Sequence, residues 1–203
     1  MTYTSRMAAP AFDPMIDFDG QWNTTLADRY LPLPGLAKAR YECIDGKLFM
    51  TPTEAFSNTY GEGQLLRILG ASADSAGFYL APTANLAFHP GRWVQPGLAV
   101  LHTLPETPDE DRWVPIGYCA MAVEFVSPGS GDRDRIDKPA LYAAGGVPYF
   151  MRVEIARPLR HVSVSLLKLV DGRYEQLAAA LAGQVFESAE PFPIRFAPES
   201  LLY

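Results

Sequence analysis

The sequence predicts a single α/β domain with a mixed central sheet, flanking helices and further β-strands towards the C-terminus. Three stretches predict it. First, Met121-Ala122-Val123-Glu124-Phe125-Val126 is a nearly continuous apolar run bounded by Ser-Pro-Gly, the pattern of a strand buried on both faces. Second, a helix is expected over about 134–144, with Leu141 and Tyr142 for packing and Gly145-Gly146 as its stop, and then an apolar strand over 148–154. Strand–helix–strand at this spacing is a βαβ unit. Third, 161–170 alternates, with Val162, Val164 and Leu166 on one side, and Asp171-Gly172 turns it into 174–177; residues 184–186 and 194–196 add short strands.

The elements before the βαβ unit follow from local chemistry. Residues 1–22 read as a poorly ordered or loosely packed arm with Pro10 and Pro14 as breakers, and 23–203 as the domain. Thr24 to Leu31 forms a short capped helix ended by Pro32 and Pro34. Asp45-Gly46 between Tyr41-Glu42-Cys43-Ile44 and Lys47-Leu48-Phe49-Met50 specifies a β-hairpin. Ser57 to Ala71 is a helix with Leu65, Leu66, Ile68 and Leu69 on its buried side, weakened in its first turns by Gly61 and Gly63. Strands are expected at 78–80, 84–88 and through 93–101, and a polar loop at 103–115 carries Glu106, Asp109, Glu110 and Asp111. Leu201-Leu202 form a packed tail.

Composition narrows the function classes. Of 203 residues, 48% are hydrophobic and 20% charged, as expected for a globular domain with a full core. No apolar run approaches the roughly 20 residues that span a bilayer, and the N-terminus lacks the apolar core of a signal peptide. No membrane association is expected. Cys43 and Cys119 lie in apolar contexts and read as buried thiols in a reducing cytoplasm. The net charge of −6 argues against a strongly basic nucleic-acid binder. It leaves room for a nuclease, whose metal site is itself acidic.

Glu124 is the most informative residue. A carboxylate in the middle of an apolar strand is costly unless a cation or hydrogen-bond donors meet it. Lys138, on the following helix, is within reach of the end of that strand. Asp134 and Lys138 are spaced i,i+4, so a surface ion pair is an alternative. Glu42 is either a site residue or an exposed hairpin residue. Arg133, Arg135, Arg152, Arg157 and Arg160 build a basic face or are scattered surface charge. The chain has no metal-ligand spacing among His89, His102 and His161, no nucleophile elbow and no phosphate-binding Gly loop.

Three stretches, Tyr41 to Leu48, Val94 to Val100 and the 121–154 block, resemble the Uma family of putative restriction endonucleases in the PD-(D/E)XK nuclease-like superfamily. The 121–154 block carries most of the likeness: Glu124, Ser127, Asp134-Arg135, Lys138, Tyr142 and Gly146-Val147-Pro148 fall in register. The resemblance implies a PD-(D/E)XK nuclease-like core, a divalent-metal site (Mg²⁺ or Mn²⁺) and DNA as partner. It implies Glu124 as a metal ligand, Glu42 on the hairpin that leads into the site, and Lys138 in place of the lysine that most of the superfamily carries two residues after the Glu, where this chain has Val126.

The chain departs from the family pattern at two polar positions. The Pro-Asp pair is Pro96-Gly97 here, and the polar residue opening the long helix, often His, is Asn58. With the Asp missing, Glu124 and Glu42 remain as metal-ligand candidates, and Glu124, Lys138 and Glu42 as catalytic ones. Phosphodiester hydrolysis needs a metal to bind the scissile oxygen and acidify a water. Mg²⁺ prefers hard oxygen ligands. One function expected is therefore an impaired metal-dependent endonuclease. The other is a non-nuclease protein on the same fold, either a binding or regulatory module or an enzyme using Glu124 and Lys138 as acid–base groups on a small apolar substrate. A homodimer is expected, because the resembled family tends to pair and exposed C-terminal strands have edges to cover.

Overall fold

The structure, a computed structural model, describes residues 12–34, 40–51, 54–126, 133–156 and 159–203. Ser127 and Arg157, and the side chains of Arg133 and Asp134, lie outside that description.

Helix α1 spans Pro14–Asp17, with Asp13 accepting from the Met15 N–H as its N-cap. Residues 12–22, expected as a loose arm, also include Trp22, which is buried with Ala27, Leu33, Cys43 and Trp93. The large apolar surface of the indole anchors this end of the segment in the domain. Helix α2 (Thr24–Tyr30) is capped by the Asn23 side chain.

The Asp-Gly hairpin forms as predicted. Strand β1 (Arg40–Ile44) pairs antiparallel with β2 (Lys47–Thr51), and both turn residues have positive φ, as a type I′ turn requires. Helix α3 (Phe56–Ser75) extends past its expected ends. Strands β3 (Tyr79–Pro82), β4 (Leu86–His89), β5 (Arg92–Val94) and β6 (Leu98–Leu101) follow. The segment expected as a polar loop contains helix α4 (Pro108–Arg112), capped by Thr107, and the two-residue strand β7 (Val114–Pro115). Asp109, Glu110 and Asp111 sit in the first turn of α4, where they complement the helix dipole.

Strand β8 (Cys119–Val126) is buried at every position. The predicted 134–144 helix is divided. Arg133–Asp137 form a wide π-type turn, and helix α5 runs Lys138–Ala144. Pro139, in the first turn of α5, has no N–H to continue the preceding ladder. Strand β9 (Tyr149–Ala156) returns parallel to β8, completing the βαβ unit. Strands β10 (His161–Val170), β11 (Arg173–Leu181), β12 (Phe186–Ser188) and β13 (Ile194–Phe196) close the chain, with Leu201 buried in a last 3-10 turn.

The main sheet has the order β11-β10-β9-β8-β6-β3. It is mixed, because β8 and β9 run parallel while the other pairs are antiparallel. A second sheet has the order β2-β1-β5-β4-β7, and β12 pairs with β13. One face of the main sheet carries Leu65 and Leu69 of α3 against Val123, Phe125, Met151 and Val153. Gly61 lets α3 settle there, because a Cβ on it would stand 2.9 Å from both Phe125 and Ile155 side-chain atoms. The opposite face packs Ala99 and Ala122 with Tyr142, Val147 and Phe150. Among the described residues, no helix is long and apolar enough to cross a membrane.

Candidate functional site

Glu124 lies on the face of β8 that it shares with Ala122, towards α5. Its neighbours explain how a carboxylate survives there. Lys138 Nζ sits 3.1 Å from Glu124 Oε1 and 3.2 Å from Oε2. The Tyr142 hydroxyl donates to Oε1 at 2.7 Å. Lys138 and Tyr142 are four residues apart on α5, so one helix face delivers both groups. Burial first, and the Glu124 charge second, push the Tyr142 hydroxyl well above its ordinary value, so it acts as a donor.

Glu42 arrives from the second sheet. Its Oε1 lies 3.0 Å from Lys138 Nζ and accepts the Gln95 N–H at 3.0 Å. The β1 hairpin is anchored by the Trp93 indole, which donates to the Tyr41 carbonyl at 3.0 Å. One ammonium therefore stands between two carboxylates, and the three groups are only 1% (Glu42), 4% (Glu124) and 6% (Lys138) exposed. The structure brings all three sequence-predicted site residues together. Lys138 points into this cluster rather than along a solvated helix face. The Glu42 side chain is buried, which removes its reading as an exposed hairpin residue.

The groups that sequence reasoning passed over are Gln95, whose N–H holds Glu42, and Tyr142, read there as packing. The i,i+4 spacing of Lys138 and Tyr142 was the signal for the second.

Other predicted groups lie elsewhere. Glu106, Asp109 and Asp111 are exposed on and before α4, and Glu110 accepts from the Tyr118 hydroxyl and the Glu106 N–H. Arg135 and Arg152 both pair with Glu154, at the far end of β9 from Tyr149. Burial pushes the Cys43 thiol up to about 11 and the Cys119 thiol up to about 12, which makes both poor nucleophiles.

Beside Gly97 a second charged group forms. Arg40 pairs with Glu54 at 3.0 Å and with Glu62 of α3 at 3.4 Å. Burial and the Glu54 charge push the Glu62 carboxyl up to about 8, with Arg40 opposing.

The donor chemistry suits a hard divalent cation in part. Two carboxylates converge on one cationic position, which the Lys138 ammonium fills. Among the described residues, no three His, Cys, Asp or Glu side chains converge to hold a metal ion as they stand. The gap corresponds to Gly97, which stands one residue beyond the Leu98–Val123 pair and so beside Glu124.

The fold has a solved counterpart. A crystal structure described as a putative nuclease belonging to DUF820 from Anabaena variabilis superposes with a TM-score of 0.61 at 12% identity, covering 86% of this chain and 95% of that one. At that identity the likeness is one of fold. No curated protein matches the chain. A family model described as a putative restriction endonuclease matches residues 27–199, a span that takes in Glu42, Gly97, Glu124 and Lys138, and the chain belongs to this family, Uma2.

Proposed function

We propose that the protein is a divalent-metal-assisted endonuclease of DNA with a weakened metal site. The observation that carries this is the buried Glu42–Lys138–Glu124 cluster. A buried ion triad contributes little net stability over an apolar substitute, because desolvation offsets the attraction. Three ionised groups brought together from β1, β8 and α5 and buried there point to chemistry rather than to stability.

Glu124 and Glu42 would hold the cation in the position that the Lys138 ammonium now fills, and the cation when bound would supply a polarised scissile oxygen and an acidified water. Tyr142 fixes the Glu124 carboxylate through one oxygen. The Gln95 N–H does the same for Glu42. Lys138, displaced from between the carboxylates by the cation, would place positive charge where the phosphate gains negative charge as the bond breaks. The missing carboxylate at position 97 weakens the hold on the ion and slows the reaction relative to a complete site.

The test is a plasmid-nicking assay with Mg²⁺ or Mn²⁺. Cleavage should require metal and disappear in Glu124→Gln and Lys138→Met, with folding checked by circular dichroism. Cleavage that survives either substitution at the wild-type rate would refute the assignment of the cluster.

A second reading has its own observation. A cavity of about 220 Å³ is lined by Leu31, Tyr41, Trp93, Gln95 and Trp113 among others, next to Glu42 in the chain. Gln95 lines it and holds Glu42 with its N–H. On this reading the protein binds or transforms a small apolar molecule there. A folded wild type that cleaves no DNA with either metal, yet binds planar aromatic probes with quenching of tryptophan fluorescence, favours it.

A further inference from the structure

The cavity lined by Trp93 and Trp113 has walls that the protein itself holds in place. Trp93 donates its indole N–H to the Tyr41 carbonyl at 3.0 Å, and Trp113 donates to the Asp28 carboxylate at 3.1 Å. The ring centroids lie 4.9 Å apart at 61°. Both indole N–H groups are therefore engaged, and the rings offer an occupant apolar surface alone. Arg112, also in the wall, pairs with Asp28. Among the described residues, no unpaired charge lines the cavity.

Two amides in the wall orient one another. Asn85 Nδ2 donates to the Arg112 carbonyl at 3.1 Å, which leaves Asn85 Oδ1 to accept from Gln95 Nε2 at 2.5 Å. Asn85 and Gln95 both line the cavity. Gln95 keeps its Oε1 and one side-chain N–H without a hydrogen-bond partner among the described residues. The Tyr41 hydroxyl accepts the Leu33 N–H at 3.3 Å and retains its own proton to donate.

We infer that the cavity seats one neutral nucleobase, adenine by best match, packed against the indoles and bonded along its edge by the Gln95 amide. The inference deepens the second reading of the cavity and rests on it. Charge, size and hydrogen bonding select this ligand class. With no free counter-charge in the wall, an ion would gain nothing to offset its desolvation. A purely apolar occupant would cut the Gln95 amide and the Tyr41 hydroxyl off from water without replacing it, which is costly. A volume of about 220 Å³ falls below the roughly 300 Å³ at which pockets for drug-sized ligands begin, so the cavity takes one ring system and not a dinucleotide. An unengaged amide oxygen beside an unengaged amide N–H is the pair with which glutamine reads the amino group and N7 of adenine. Gln95 also donates its backbone N–H to Glu42 at 3.0 Å, so the seated base lies one residue from the buried cluster. Such a base has two sources. It arrives free or as a nucleoside, or it is turned out of a nucleic-acid strand, where an unpaired base costs least to extrude.

The experiment is calorimetric titration of the full chain, in chelator, with adenine, purine and indole. Adenine should bind about tenfold or more tightly than purine, which lacks the amino group. Gln95→Leu should weaken adenine about tenfold or more and leave indole binding unchanged, while the backbone N–H at 95 still holds Glu42. The purine comparison needs no variant, so it carries the test if Gln95→Leu fails to fold. Two hairpin oligonucleotides, one with an unpaired adenine and one abasic at that position, separate the sources. Tighter binding of the first, in competition with free adenine, upholds the inference for a base within a strand. Equal binding of the two, with free adenine bound, upholds it for the free base or nucleoside. Adenine, purine and indole bound alike, or adenine unaffected in Gln95→Leu, overturns the inference and leaves the second reading standing. A wild type that binds none of the three at millimolar concentration overturns both.

Discussion

Lys138 and Tyr142 stand one turn apart on α5 and both end on Glu124, the ammonium on its two oxygens and the hydroxyl on one. The two contacts differ in kind. Lys138 also reaches Glu42, so it neutralises two buried charges. Tyr142 only orients one of them.

Lys138→Met should be the most destabilising single change in the cluster. It leaves two carboxylates buried without their shared cation, at a cost of about 3–5 kcal/mol. For a domain of this size, that lowers the thermal midpoint by about 10 °C. Replacing all three groups at once, Glu42→Gln with Glu124→Gln and Lys138→Met, should recover most of the loss. A calorimetric melt of the single and triple variants checks this. A single variant as stable as wild type would show that the ammonium does not neutralise the pair.

Tyr142→Phe should keep the fold, because the ring remains stacked on Phe150 with centroids 5.8 Å apart. It removes a hydrogen bond to a charged group, worth about 1.5–3 kcal/mol. Any metal-dependent cleavage should fall several-fold through kcat, with little change in KM, since the hydroxyl positions Glu124 and does not touch substrate. A change confined to KM would instead place the hydroxyl on the substrate.

How much of this was legible in the sequence depends on whether the determinant was local. The Asp45-Gly46 hairpin, the all-buried β8 and the parallel return of β9 are written in turn residues and apolar runs, and each formed where expected. Glu124 announced itself because a charge in an apolar strand requires a partner, and Lys138 was the nearest candidate on the next element. The division of the expected 134–144 helix was also local, carried by Pro139, but its periodicity concealed it. Trp22 and Glu62 were not legible. The first is buried by residues as distant as Trp93, and the second acquires meaning only from its approach to Gly97, 35 positions away by the numbering. Spacing along a chain does not encode such contacts.

A homodimer is expected through the main-sheet edge. Strand β11 is an outer strand of that sheet and exposes Leu177 and Leu181, and an apolar edge invites pairing with a second copy. Light scattering on a sizing column should give twice the mass of 22.3 kDa. Leu177→Lys with Leu181→Lys should shift it to the monomer. A wild type that runs as a monomer at micromolar concentration defeats the expectation.

The stability of the metal-free protein should depend on pH through Glu62. Its carboxyl is pushed up to about 8, first by burial and then by the Glu54 charge, against the pull of Arg40. A carboxyl whose folded-state value lies above its ordinary one stabilises the fold in the protonated form. That contribution is complete below the ordinary value of 4.5 and is lost as pH rises through about 8. Glutamine at this position stays neutral throughout. Glu62→Gln and wild type should therefore melt alike near about pH 5, and the variant should be the more stable near about pH 9. The difference should be about 2 kcal/mol, because relaxation and the Arg40 contact absorb part of a shift of this size. Melting in chelator across that range measures it. Parallel melting curves for the two proteins from acid to alkaline pH would show that the Glu62 carboxyl titrates in the fold as it does in the unfolded chain, with burial and the Arg40 contact cancelling.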